Sequence, residues 1–449
     1  MFWRKSDQRK FDFVFWGHGH NEIERFLPLM VEMEKQGFST MLFFSDYAFR
    51  PFSILQKSLI KKFSLNVCDF SDYFSCFPLF LLNSLHNLIS SFIDRFPDFS
   101  NIFRIRYFLF IIKLIKDRIF YFSLSEQKIR GLLLNLGHSV NVFDLISLEK
   151  FRIHPYGLFF VKKQSTDLKI KSVGIPHGSP CLFSENPQQK SEPSAIFDLI
   201  FLTSELERTE KNLNSGTLKD IEKRIKLLGD PRFDSNWKKI ILDYYKSSEK
   251  FLTRGDNLKI VYVSSNLEYL GLIKEKDGNL RKVAEIIKEI EGSHLYIKPH
   301  PRYRRERQTR ENFKKIGFPI EQYTTLEDGV PLVGIIEEVD LIISSGTSAL
   351  YDFLPEFSHK IVIFDDYSEP NELKNIFSEF TNFFQNKKDL EMFIKNNFLD
   401  KKGDEVKKKI KDGKKILEFC KKWFAGNGEV DEIVARYCEV LKMEKASKN

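Results

Sequence analysis

Three short segments near the start of the chain constrain its fold more than anything else in it. Phe11-Asp12-Phe13-Val14-Phe15-Trp16 is an apolar run of strand length. Residues 21–36 then carry Ile23, Phe26, Leu27, Met30 and Met33 at helical spacing on one face. Gly37 stands where a helix C-cap is expected, and Ser39-Thr40-Met41-Leu42-Phe43-Phe44 is a second apolar run. Strand, amphipathic helix and strand make a βαβ unit, which requires parallel strands with helices over both faces of the sheet.

The pattern continues. It resumes near 131 with Gly131-Leu132-Leu133-Leu134-Asn135, then Ser172-Val173-Gly174-Ile175, residues 196–202 and Lys226-Leu227-Leu228. A polar stretch, Ser247-Ser248-Glu249 and Arg254-Gly255-Asp256-Asn257, reads as an interdomain linker. A second series begins at Leu258 and continues with strands at 294–298, 341–343 and 360–364. The expected architecture is α/β: two Rossmann-like domains facing a cleft. They span residues 1–245 and 246–386, and a helical, Lys-rich segment follows at 387–449. Residues 78–122 interrupt the first domain. They are helical in pattern, rich in Phe, Leu and Ile, and dotted with Arg104, Arg106, Lys113, Lys116 and Arg118. They read either as a buried helical insertion or as a face lying in a membrane interface.

Composition narrows the classes. A chain of 449 residues suits two to three domains. With 42% hydrophobic and 29% charged residues it is neither disordered nor fibrous. Its 45 phenylalanines belong chiefly in cores. The net charge of +8 favours anionic partners such as nucleotides or lipid headgroups. No nucleic-acid recognition module is present, so nucleic acid is not an expected partner. Five scattered cysteines without zinc-ligand spacing point to a reduced, cytoplasmic setting. The polar N-terminus does not read as a signal peptide, and no apolar run is long enough to span a bilayer.

Two motifs carry the chemistry. Ile297-Lys298-Pro299-His300-Pro301-Arg302 is a strand that stops at a Lys, a His and an Arg bracketed by prolines. Leu341-Ile342-Ile343-Ser344-Ser345-Gly346-Thr347-Ser348 is a strand that stops at a hydroxyl- and glycine-rich helix start. Strand ends of open α/β sheets are where ligands bind. A helix N-terminus offers unpaired N–H groups and a positive dipole end. Cations and a helix mouth together suit a diphosphate. Lys298, Arg302, Ser344, Ser345, Gly346, Thr347 and Ser348 are therefore candidate donor-binding residues, and His300 a candidate catalytic one.

In the first domain, Ile175-Pro176-His177-Gly178-Ser179-Pro180 ends another strand in a histidine. An ordinary imidazole titrates near neutrality and suits a general base; a turn histidine bonded to backbone is the plainer alternative. Gly17-His18-Gly19-His20-Asn21 follows the first strand, and Gly17, His18 and His20 are candidates for contacting an acceptor. No carboxylate or cysteine cluster accompanies these histidines, so no metal is expected. Gly229-Asp230-Pro231-Arg232-Phe233-Asp234 reads as a tight turn with a capping Asp, or as a hinge loop. Acidic residues at 337–340 and 364–367 read as solvated loop acids rather than a divalent-ion site. The basic run from Arg302 to Arg310 reads as a solvated face or an anionic-surface contact.

On Pro176-His177-Gly178-Ser179-Pro180, Lys298-Pro299-His300-Pro301 and Ser344-Ser345-Gly346-Thr347-Ser348-Ala349-Leu350-Tyr351-Asp352, the chain resembles GT-B glycosyltransferases of bacterial surface polymers. The groups it is similar to are the CDP-glycerol glycerophosphotransferases of teichoic acid synthesis and the capsule Kdo and polysialic acid transferases. The matching order covers roughly residues 170–370. It departs from the pattern in having His-Gly-Ser where His-Gly-Thr is common, and Ser-Gly-Thr-Ser where an acidic residue and adjacent serines are common.

The resemblance implies a base at His177, a donor-phosphate contact at His300 and diphosphate binding at Ser345, Thr347 and Ser348. It implies a nucleotide-activated donor, CDP-, CMP- or UDP-linked, as substrate with no other cofactor. The implied acceptor is a polysaccharide or lipid-linked molecule at the inner membrane face. A UDP-sugar 2-epimerase, and a non-enzymatic protein binding membrane or polymer, are the alternatives kept open.

Overall fold

The computed structural model describes residues 10–17, 20–44, 54–69, 126–136, 139–144, 158–175, 197–204, 222–246, 258–264, 278–298, 313–326, 332–344, 357–365, 381–399 and 413–447, with a few single positions besides. They form two compact units. The first runs to Asp234 and resumes at Trp423; the second holds Ser235–Lys422.

The first unit is built on strands β1 (Phe13–Gly17), β2 (Thr40–Phe44), β3 (Asn66–Asp69), β4 (Val140–Asp144), β5 (Ser172–Ile175), β6 (Leu199–Leu202) and β7 (Ile225–Leu227). They lie in the order β3-β2-β1-β4-β5-β6-β7, every pair parallel. Helix α1 (His20–Lys35) connects β1 to β2 as the periodicity predicts. It ends at Gly37, whose φ of +84° is the left-handed C-cap conformation. Trp16 stacks on Phe43 and Phe143 with ring centroids 4.7 and 6.2 Å away, so the core of this layer is aromatic.

The second unit has β8 (Leu258–Val263), β9 (Ser293–Lys298), β10 (Tyr323–Thr325), β11 (Leu341–Ser344), β12 (Ile361–Phe364) and β13 (Asn382–Phe384). Their order is β10-β9-β8-β11-β12-β13, again all parallel. Helices Asn279–Ile287 and Lys387–Ile394 pack beside this sheet, with Val283, Ile286, Ile287, Leu390 and Ile394 in its core.

Several expectations change. Gly131–Asn135 lies within the helix Glu126–Leu136, and the neighbouring strand is β4. The chain divides after Asp234 rather than after 245. The helix Ser235–Lys246 packs against Leu332–Ile335 within the second unit, with the Tyr245 ring directly over Gly334. The final helix, Ile433–Ala446, belongs to the first unit, where it packs on α1. Lys171 and Glu444 are 3.0 Å apart there, and Lys445 pairs with Asp12. The 78–122 segment lies outside the described residues apart from isolated positions. No helix among the described residues is long and apolar enough to cross a membrane.

Candidate functional site at the carboxyl edge of the second sheet

The order of the second sheet places the chain reversal between β8 and β11: strands run outward from β8 on one side and from β11 on the other. Loops leaving the two strands at such a point diverge and open a crevice at the carboxyl edge. Register makes this concrete. Lys298, the last residue of β9, pairs with Val263, the last of β8, and Val263 pairs with Ser344, the last of β11. Lys298 and Ser344 thus end their strands in one row, one strand apart, with Cα atoms about 10 Å from each other at the usual strand spacing. The strands leading into both sequence motifs end level with each other on either side of β8.

Ser344 is fully buried, and its hydroxyl donates to the Val263 carbonyl at 3.2 Å, closing the reversal point. Its proton is spent there, so toward a ligand it has only lone pairs to offer. Lys298 is half-buried, and its carbonyl accepts from the Ser264 N–H at 3.2 Å. His300, Arg302, Ser345, Gly346, Thr347 and Ser348 lie outside the described residues, as does the Arg302–Arg310 run.

The amino edge of the sheet is different in kind. Asp340 Oδ2 accepts from the Lys259 N–H at 2.8 Å. Asp12 and Asp198 do the same in the first unit, accepting from the Ser39 and Ser172 N–H groups at 2.7 and 2.8 Å. These acids cap the free end of a neighbouring strand and set its register. Asp340, the last acid of the segment at 337–340, is thereby accounted for structurally. Among the described residues no cluster of metal-ligating side chains occurs.

In the first unit the reversal lies between β1 and β4. Trp16 pairs with Phe143 and Asp144 with Ile175, so Gly17 and Ile175 end strands on either side of β4. Gly17 is buried, and a Cβ there would meet Phe26 Cε2 at 3.0 Å, so the glycine answers to packing of α1 on β1. His20 is the first helical residue of α1. His18 and His177 lie outside the described residues.

The segment 229–234 resolves into a structural knot. Asp230 caps the turn at Pro231–Phe233 by accepting from the Arg232 N–H at 3.1 Å. Its other oxygen receives Arg25 Nε and Nη2 at 3.1 and 2.8 Å. Asp234 accepts from the Val434 N–H at 3.0 Å, capping the last helix, and the Tyr437 hydroxyl donates to the Gly229 carbonyl at 2.7 Å. Arg25 was not among the residues the sequence singled out. The available signal was its place in a helix whose flanking residues Glu22, Ile23 and Phe26 are all buried, which demands a partner for any charge.

No family model and no curated protein matches the chain. Solved structures do. A UDP-GlcNAc 2-epimerase from Neisseria meningitidis bound to UDP-GlcNAc is similar at 11% identity and a TM-score of 0.51, covering 97% of this chain and 100% of that one. A further UDP-N-acetylglucosamine 2-epimerase is similar at 10% identity and a TM-score of 0.52, covering 98% of each chain. The wall teichoic acid polymerase TagF is similar at 12% identity and a TM-score of 0.50, covering 99% of this chain and 91% of that one. At such identities the likeness is one of fold, and the fold is the GT-B arrangement of two Rossmann-like parallel sheets, here of 7 and 6 strands.

Proposed function

We propose that this chain is a nucleotide-sugar enzyme of the GT-B kind. It transfers a sugar or polyol phosphate from a CDP-, CMP- or UDP-linked donor to a surface-polymer or lipid-linked acceptor. The observation carrying this reading is the register row Lys298–Val263–Ser344 at the reversal point of the second sheet. The two motifs that suit a diphosphate both leave the sheet from that row.

In this reading Lys298, His300, Arg302 and the helix start at Ser345–Ser348 hold the donor phosphates. They act where negative charge grows as the nucleotide departs. His177 takes the proton of the acceptor hydroxyl. Gly17, His18 and His20 border the acceptor. The protein works at the inner membrane face, where its positive net charge favours anionic headgroups.

A second reading, a nucleotide-sugar 2-epimerase, has the epimerase structures among the fold neighbours in its favour. One experiment separates the two. CDP-, CMP-, UDP- and GDP-activated donors are incubated with the purified chain, with and without polyol and glycan acceptors. Acceptor-dependent nucleotide release supports the transferase. Interconversion of a nucleotide sugar with no release and no acceptor supports the epimerase. The transferase mechanism expects His300→Ala to abolish release, and unchanged turnover in that variant removes His300 from it.

A further inference from the structure

Asn279 opens the helix that follows β8, and it is completely buried. Its Nδ2 donates to the carbonyl of Phe364 at 3.1 Å. Phe364 is the last residue of β12, the strand beside β11, so this bond pins the amide at the carboxyl edge of the second sheet. The other half of the amide is unexplained. Asn279 Oδ1 is enclosed and accepts from nothing among the described residues. A buried acceptor left unmade costs about 1–3 kcal/mol, so a fold retains one only with cause. The helix N-cap is Gly278, which has no side chain of its own to bond the amide.

The position restricts what the oxygen can meet. Phosphate oxygens are acceptors at neutral pH and do not satisfy a carbonyl oxygen. The counterpart must bring an O–H or N–H. We infer that Asn279 Oδ1 accepts a hydrogen bond from the nucleoside part of the donor, either a ribose hydroxyl or an exocyclic base amine, making Asn279 a residue of donor specificity. This rests on the nucleotide-donor reading above.

The test measures binding of CDP, UDP, 2′-deoxy-CDP and inorganic pyrophosphate by calorimetry to the wild-type chain, Asn279→Ala and Asn279→Ser. Ser serves as the second variant because its hydroxyl can still bond a nearby carbonyl if the Ala variant does not fold. Both variants are expected to lose about tenfold in affinity for the nucleotide carrying the recognised group and nothing for pyrophosphate. Wild-type discrimination of CDP from 2′-deoxy-CDP assigns the hydroxyl, and of CDP from UDP the base amine; either difference vanishes in the variants. Folded variants that bind all four ligands as the wild type does overturn the inference while leaving the donor reading intact. A wild-type chain that binds pyrophosphate but no nucleoside diphosphate more tightly overturns it too. A chain that binds none of them overturns the donor reading, and the inference with it.

Discussion

Arg25 and Asp230 are 205 positions apart and form a two-pronged ion pair, Nε and Nη2 to a single carboxylate oxygen at 3.1 and 2.8 Å, with both side chains buried. The pair joins helix α1 to the last turn before the chain leaves the first unit. Because the other Asp230 oxygen caps that turn, the carboxylate serves two elements at once.

Asp230→Ala is therefore expected to be severe. It strands a buried guanidinium and uncaps the turn, and removing one partner of a buried pair costs about 3–5 kcal/mol. Urea unfolding checks this. The double variant Arg25→Met with Asp230→Ala should recover part of the loss, since no unpaired charge remains. A loss below about 1 kcal/mol in the single variant would count against the pair's importance.

Two glycines with positive φ should respond differently to alanine. At Gly37 (φ +84°) an added Cβ meets nothing within 4 Å. Only left-handed strain applies, about 1–2 kcal/mol. At Gly229 (φ +91°) the Cβ would lie 2.5 Å from the Phe424 carbonyl oxygen and 2.8 Å from Ala425 Cα, both backbone. Gly229→Ala should be clearly more destabilising than Gly37→Ala in thermal melts. Equal shifts would show that the segment around Phe424 yields.

Ser344→Ala removes the hydroxyl that bonds the Val263 carbonyl. The expected cost is about 0.5–1.5 kcal/mol of stability. Since the Ser344 proton is committed within the sheet, nucleotide affinity should change less than in Lys298→Ala. Calorimetry on both variants compares them directly, and a larger loss in Ser344→Ala would make its lone pairs a ligand contact.

Acid should weaken the fold through two histidines. Burial pushes His294 below the usual imidazole value, and His294 Nε2 sits 2.9 Å from Thr324 Oγ1. Burial, and then the neighbouring Lys360, do the same to His359. In the pH window between the depressed folded values and the ordinary value of about 6.5, the unfolded chain binds more protons than the folded one. Stability thus rises with pH across that window and is lost as pH falls through it. Denaturant midpoints from pH 7.5 downward should fall below about pH 6.5, and His294→Gln with His359→Gln should flatten the slope. Glu285 acts lower. Burial alone would raise it, but hydrogen bonds from Lys387 and Arg281 outweigh this and hold it below the carboxylate range. Its contribution disappears only at more acid pH.

The sequence by itself determined the class of the fold and the places where ligands are expected. β1, β2, β8, β11 and β12 were legible because a parallel strand covered on both faces must be apolar along its whole length, as in Phe13–Gly17 and Ile361–Phe364. Three of the four edge strands, β3, β10 and β13, were not, because an edge needs less apolar surface and a strand of three or four residues has no visible period; β7, the fourth, was marked by Leu227-Leu228. β4 is central yet was also missed. It carries Asn141 in its core face, where its Oδ1 accepts the Trp16 indole proton at 2.8 Å, a partner 125 positions away. Tertiary structure alone decided the strand order, and with it that Lys298 and Ser344 end in one row. It also decided that the last helix returns to the first unit and that Arg25 meets Asp230. Periodicity reports which face of an element is buried, whereas pairing between distant segments depends on the packing of the whole chain.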